Sequence, residues 1–287
     1  MKPVRYINFN GVLFPENTPL LTVKNRSFKY GDGLFESIRI INGKPCFLSN
    51  HMERLKRDML FLKMNVPSFF TTDFFSEEIN RLTHKNDITH GGRARIVIYR
   101  NDGGLYSPDE SMVSYIIEAQ PVAENNYLLN EKGLQVDLFE ELKKPLNKLS
   151  NLKSNNALYF VMAAIFSKEK GLDDCLILND ASNIAEASGA NLFMVAEKKI
   201  YTPSLEEGCI AGTMRKQIIK LAGNSGFKVY ECALSPADLI EGEELFLTNA
   251  SSGIRWIAAY KQKRYYQDTA LVLLEQLNKS LEITINY

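Results

Sequence analysis

Hydrophobic positions along the first part of the chain follow two rhythms. Val4 to Phe9, Phe35 to Ile41, Ala94 to Tyr99 and Met112 to Glu118 are short runs dense in β-branched and aromatic residues, which suit a pleated, half-buried surface and predict strands. Between them, Met52, Leu55, Met59 and Leu62 recur at three- and four-residue steps, the spacing of a helix with one apolar face, and Asn50 stands where a capping side chain belongs. A second helix is expected to open at Asp73 and run through Phe74, Ile79 and Leu82.

The apolar run that ends at Ala119 gives way to Gln120-Pro121-Val122-Ala123-Glu124-Asn125-Asn126, a polar stretch opened by a proline, which reads as a linker. Beyond it the pattern predicts strands over Leu134 to Phe139, Cys175 to Leu178, Asn191 to Val195, Lys228 to Cys232 and Glu244 to Thr248. Helices are expected from about Asn156 to Lys168 and from about Met214 to Ala222. The class is therefore mixed α and β in two unequal halves: a small domain over residues 1–120, a linker over 121–130 and a larger domain over 131–287. No internal repeat and no low-complexity tract disturbs this division.

Composition narrows the function classes. The 287 residues are 45% hydrophobic and 24% charged, with Lys+Arg 34 against Asp+Glu 34, and no dense basic patch, so a nucleic-acid partner is not expected. The opening MKPVRYINFNGVLFP lacks the layout of a secretory signal and no apolar run reaches membrane-spanning length, so a cytoplasmic address without a membrane partner is expected. Cys46, Cys175, Cys209 and Cys232 are too scattered for a zinc site or a redox dithiol and read as reduced packing residues. His51, His84 and His90 are isolated, which disfavours a zinc hydrolase and leaves no metal expected. Gly31-Asp32-Gly33 runs into strand-like residues rather than a helix, which disfavours a nicotinamide dehydrogenase.

Three segments carry chemistry. Lys153, in Asn151-Leu152-Lys153-Ser154-Asn155-Asn156, precedes a largely apolar helix, so its amine is expected near a domain interior, where burial favours the neutral, nucleophilic form. Glu186 lies in Ser182-Asn183-Ile184-Ala185-Glu186-Ala187-Ser188-Gly189-Ala190, a turn-rich stretch whose small residues let a flat ring approach a carboxylate. Gly212-Thr213-Met214-Arg215 opens an amphipathic helix, whose free N–H groups and dipole favour an anion, and Arg54 offers a cationic fork for the same purpose. An amine, a carboxylate and a phosphate cradle are what an enzyme using pyridoxal 5'-phosphate requires.

The order and spacing of these segments resemble the class IV aminotransferase family over nearly the whole chain. Two further markers are Arg26-Ser27-Phe28-Lys29-Tyr30-Gly31-Asp32-Gly33-Leu34-Phe35-Glu36-Ser37-Ile38-Arg39 and His51-Met52-Glu53-Arg54-Leu55. The resemblance implies a fold type IV α/β (α+β) protein, with a small N-terminal α/β domain, a larger C-terminal domain built on a mixed sheet or barrel, and the cofactor between them. It also implies a homodimer whose second chain helps close the site. Carried over residue by residue, Lys153 is similar to the Schiff-base lysine and proton shuttle, and Glu186 to the partner of the pyridine nitrogen. Arg54 and the amides of Thr213 and Met214 are similar to the phosphate ligands, and the loop Thr248-Asn249-Ala250-Ser251-Ser252 to the rest of the cradle. Many transaminases of the family carry threonine where Ala250 stands, so Ser251 or a backbone amide is the expected substitute.

Within the family, Asn249-Ala250, the Ser37 hydroxyl and Arg100-Asn101-Asp102-Gly103-Gly104-Leu105-Tyr106 resemble aminodeoxychorismate lyases, which release pyruvate and 4-aminobenzoate. The Arg100 run is one residue shorter than the lyase pattern and lacks its second arginine. Asn156, three residues after Lys153, is shared with lyases and D-amino-acid transaminases, whereas Glu36 and Arg39 are common among transaminases. An amino-acid transaminase, branched-chain or D-specific, and a noncatalytic binding protein on the same fold stay as alternatives. Tyr30, Ser37, Arg39, Arg100 and Asn249 are the candidate contacts to a small amino substrate.

Overall fold

A computed structural model describes residues 4–285 and separates the chain into two compact units. The first comprises the residues up to Asn126 together with Lys153–Asn156, and the second comprises Tyr127–Leu152 and the chain from Ala157 onward. Among the described residues no helix is long and apolar enough to cross a membrane, and no group of three or more His, Cys, Asp or Glu side chains could hold a metal ion.

The first unit contains β1 (Tyr6–Phe9), β2 (Val12–Pro15), α1 (Arg26–Tyr30), β3 (Gly33–Ile41), β4 (Lys44–Pro45), α2 (Leu48–Phe61), α3 (Thr72–Lys85), β5 (Gly92–Arg100) and β6 (Val113–Pro121). Its sheet has the order β2-β1-β6-β5-β3-β4, every pair antiparallel. Two Asn-Gly turns set the hairpins: Asn10 and Gly11 join β1 to β2, and Asn42 and Gly43 join β3 to β4, all four with positive φ as a two-residue hairpin turn demands. Helices α2 and α3 cover one face, burying Leu55, Met59, Phe75 and Ile79 with Ile38, Ile96, Ile98 and Ile117. Each such side chain taken out of water contributes about 1.5–3 kcal/mol.

Two helix starts differ from the expectation. Asn50 lies inside α2, which begins at Leu48 after Phe47 in a left-handed conformation with no side-chain cap. Burial of Leu48 fixes this start. The cap of α3 is Thr71, whose hydroxyl accepts from the Phe74 amide, while Asp73 sits in the first turn, where its charge complements the helix dipole. The polar stretch expected as a linker also begins later, because Gln120 and Pro121 finish β6 in register with Arg93 and Gly92.

The second unit contains β7 (Leu134–Lys144), α4 (Leu158–Lys170), β8 (Asp174–Asn179), β9 (Ile184–Ala187), β10 (Asn191–Ala196), β11 (Lys199–Pro203), α5 (Thr213–Asn224), β12 (Lys228–Cys232), α6 (Asp238–Glu241), β13 (Glu244–Asn249), β14 (Gly253–Tyr260), β15 (Lys263–Arg264) and α7 (Asp268–Ile285). The sheet runs β12-β11-β10-β13-β14-β7-β8-β9, with β15 paired to β14. The pairs β11/β12, β7/β14 and β7/β8 are parallel and the rest antiparallel, so the sheet is mixed. It curls until β9, at one end of the order, lies against β10. Leu138, Leu176, Ile184, Leu192, Leu245, Leu247 and Ile257 fill the interior of the curl.

A buried ion cluster fastens α2 to β3. Glu36 Oε1 accepts from Arg54 Nε at 2.7 Å, Oε2 accepts from Arg54 Nη2 at 2.5 Å, and His51 Nδ1 lies 2.6 Å from Oε2. Burial alone would raise the Glu36 pKa, but Arg54 and His51 outweigh it and bring the carboxyl down to about 2. Burial also lowers the His51 pKa against the pull of Glu36. A depressed carboxyl pKa contributes stability that is complete above its unfolded value and is lost as pH falls through the folded one. Replacing Glu36 with Gln should therefore cost about 3 kcal/mol of unfolding free energy at neutral pH. The contribution of the carboxyl should be lost as pH falls from 4.5 toward about 2, closing the gap to the wild type, as read by denaturant melts across that range.

Candidate active site

The first unit explains the sequence around Lys153 from the backbone outward. Residues 153–155 add to the start of β3: Phe35 N donates to Lys153 O at 2.9 Å, Asn155 N donates to Gly33 O at 2.9 Å, and Ser154 bridges Leu34. Asn155 Nδ2 donates to Ser27 Oγ at 2.7 Å and Asn156 Nδ2 to Gly31 O at 3.3 Å. This docking requires Gly31 and Gly33. A Cβ on Gly31, which also has φ +66, would lie 2.4 Å from Asn156 Oδ1, and one on Gly33 would lie 2.8 Å from Ile98 O. Tyr30-Gly31-Asp32-Gly33 is thus a helix end shaped to receive the lysine segment.

Strand alternation puts Phe35, Ser37 and Arg39 on one face of β3 and Glu36 and Ile38 on the other. The amine of the half-buried Lys153 sits 4.3 Å from the centre of the Phe35 ring, hence on the Ser37 and Arg39 face. Below it, burial raises the Asp58 pKa, while Arg57, Arg54 and the Lys153 backbone amide pull the other way.

In the second unit Glu186 stands on β9 with 3% of its surface exposed, rather than in an open turn. The turn signals before it instead build the tight β8–β9 connection, where Ser182 has φ +66 and Asn179 Oδ1 accepts from Asn183 N. Glu186 Oε1 accepts from Lys144 Nζ at 2.5 Å and Oε2 from Ile210 N at 3.1 Å. A carboxylate offers about four lone-pair sites, so two such bonds leave acceptor capacity for a ligand N–H.

The Ile210 segment leads directly into α5, and side chains from several elements pin it. Asn151 Nδ2 donates to Leu205 O and Cys209 O, and Asn151 O accepts from Ala211 N. Asn191 Nδ2 donates to Ile210 O, and Asn179 and Asn183 both donate to Glu207 Oε2. A Cβ on Gly212 would fall 2.0 Å from Asn191 Oδ1, so glycine is required at this N-cap. Thr213 and Met214 then begin α5 at a buried N-terminus suited to an anion.

Next to Asn191 in register is Thr248, whose Oγ1 is buried without a hydrogen-bond partner. Beyond it the turn is organised by Asn249, whose Oδ1 accepts from Ser251 N at 3.0 Å and Ser252 N at 2.8 Å. The Tyr127 hydroxyl donates to Ala250 O.

The remaining candidates are spread among these parts. Tyr30 ends α1, its ring tilted 47° against that of Tyr106. Arg39 is buried and donates to Glu124 O. Arg100 Nε donates to Asp32 at 3.0 Å, and its other nitrogens donate to Leu62 O and Lys63 O at the end of α2. Asp32 also pairs with Arg26, which holds Gly103 O and Leu105 O, so Arg100 is bound into a brace for the 101–107 loop. Lys144, Asn151 and Asn191 are not among the residues the sequence points to, and Thr248 enters there only as the first residue of the 248–252 loop. Only the glycine and asparagine content of their segments could have drawn attention to them.

The sequence model of the class IV amino-transferase family matches residues 33–260. A putative branched-chain-amino-acid aminotransferase of Methanocaldococcus jannaschii is 28% identical over 251 residues, covering 86% of this chain and 85% of that protein. An aminodeoxychorismate lyase of Vibrio harveyi is 26% identical over 232 residues, covering 80% and 83%. The crystal structure of a branched-chain aminotransferase from Thermoproteus uzoniensis superposes with a TM-score of 0.85 at 25% identity, covering 95% and 93%. The match spans most of the chain, and the curled mixed sheet is that of fold type IV enzymes. The chain therefore belongs to the class IV aminotransferase family of pyridoxal 5'-phosphate-dependent enzymes.

Proposed function

We propose that Lys153, Glu186 and the α5 N-terminus serve one molecule of pyridoxal 5'-phosphate, and that the enzyme is a 4-amino-4-deoxychorismate lyase. The observation that carries the cofactor reading is the donor set of the second unit. A buried carboxylate with acceptor capacity, a pinned glycine cap that admits no side chain, and the unpartnered Thr248 hydroxyl fit a pyridine nitrogen and a phosphate. The amides of Thr213 and Met214, with Ser251 and with Arg54 held in place by Glu36, would bind the phosphate.

When bound, the cofactor supplies an electron-withdrawing ring that makes the substrate Cα–H acidic. Glu186 would hold the ring through its nitrogen. Lys153 would hold the cofactor through its amine and would move the proton at substrate Cα. That Ser37 and Arg39 lie on the same strand face as the lysine amine supports them as contacts to the substrate's polar groups, with Tyr30 and Asn249 as further candidates. The contacts of Arg100 favour a bracing role over a substrate contact.

Support for the lyase comes from Asn249-Ala250 and Ser37, and from the lyase of Vibrio harveyi among the relatives. A branched-chain transaminase is the second reading, favoured by the names of the Methanocaldococcus jannaschii and Thermoproteus uzoniensis proteins and by Glu36 and Arg39. For assembly we propose a homodimer. Leu158, Val161, Met162 and Ile165 recur at helical spacing on α4 with 37–75% exposure, an apolar stripe of the kind that a partner surface covers.

The purified protein is expected to bind pyridoxal phosphate with a visible absorbance band that borohydride abolishes, and Lys153→Ala should remove the band and lower turnover by about a thousandfold or more. Offered aminodeoxychorismate, it should release pyruvate without a keto-acid acceptor. Turnover of leucine or D-alanine only in the presence of 2-oxoglutarate would identify a transaminase instead. Light scattering should report twice the chain mass, and the double change Val161→Glu with Ile165→Glu should shift it to one chain.

A further inference from the structure

Lys144 has no part in the reading above, yet its ammonium is buried. Strand β7 exposes residues 140–143 and then buries Lys144, and its register with β8 shifts between Phe139 and Lys144. Irregularities of this kind re-aim side chains, and here the shift turns a cation into the unit interior. All three directions of the ammonium are occupied: Glu186 Oε1 at 2.5 Å, Ser150 O at 2.8 Å, and the face of the Phe160 ring at 5.1 Å. Ser150 lies three residues before Lys153, and its hydroxyl donates to Pro145 O, which closes the turn that follows β7.

A buried ion pair is weak evidence for stability, because an apolar pair of similar size often stabilises a fold equally well. The pair here has a more specific consequence. Without a nearby cation, a buried carboxylate facing a pyridine nitrogen shares one proton with it, and a low-dielectric interior favours the neutral arrangement, in which the acid keeps the proton. A cation bonded to the carboxylate stabilises the anion more than it repels the more distant ring, and so moves the proton onto the ring.

We propose that Lys144 is a positioning residue that fixes the Glu186 carboxylate in one rotamer as an anion and so keeps the pyridine nitrogen of pyridoxal phosphate protonated. This rests on the assignment of Glu186 to the ring nitrogen.

The test loads wild type, Lys144→Met, Lys144→Gln and Lys144→Arg with pyridoxal phosphate labelled with 15N in the ring. It follows the ring nitrogen resonance by NMR and the cofactor dissociation constant by equilibrium dialysis. In Lys144→Met and Lys144→Gln the resonance should move by roughly half or more of the interval from protonated to neutral pyridine, and the dissociation constant should rise about tenfold. Lys144→Arg should restore the wild-type resonance. Folded Met or Gln variants that bind cofactor with an unchanged resonance overturn the proposal. So does an Arg variant displaced as far as the Gln variant, since charge would then not be the cause. If Met and Gln variants both fail to fold, Lys144 is a requirement of the fold and the proposal is likewise overturned. A wild type that binds no cofactor, or binds it with a neutral ring nitrogen, refutes the underlying assignment of Glu186 instead.

Discussion

A carboxylate removed from water must be given back its hydrogen bonds and its counter-charge, and in the second unit that requirement organises everything around Glu186. One oxygen takes the Lys144 ammonium and the other takes the Ile210 amide. Taking away one partner of such a pair leaves an uncompensated buried charge, at a cost of about 3–5 kcal/mol. The bond to Ile210 fixes the segment that leads to the α5 N-terminus, and Asn151, Asn191, Asn179 and Asn183 hold the same segment from other directions. The carboxylate and the helix start are therefore parts of one rigid construction rather than two features that happen to be near.

The first unit applies the same principle to a different task. Lys153 is carried on a short segment that extends β3, and the fit depends on two glycines whose missing side chains leave room for Asn155 and Asn156. On the opposite face of β3 the pair of Glu36 with Arg54 locks α2 in place. One strand thus presents a half-buried face toward the lysine amine and a fully buried ionic face toward a helix. Two-residue alternation is what keeps these chemistries apart.

The buried thiols carry no comparable role. Burial pushes Cys46 and Cys209 up to about 12 and Cys175 up to about 11, so none of the three offers a thiolate at neutral pH. The four cysteines are free, and Cys46, Cys175 and Cys209 are packed in the interior.

By itself the sequence determined the elements with strong periodicity and the segments with unusual chemistry. The α2 stripe of Met52, Leu55 and Met59, the β-branched strands β3, β5 and β6, and the Gly-Thr start of α5 follow from local spacing, because a helix or strand face is a property of neighbours along the chain. The Asn-Gly hairpin turns at Asn10 and Asn42, and the α7 stripe of Ala270, Leu273, Leu274, Leu277 and Leu281, obey the same local rules but were not among the expected elements. Tertiary structure alone decided which polar groups meet. Lys144 and Glu186 are 42 residues apart, and nothing local distinguishes Lys144 from Lys143, which reaches the exposed hydroxyl of Ser182 instead. The β7 register shift and the curl of the sheet make that choice, because burial of a charge is settled by long-range pairing and not by the residues on either side.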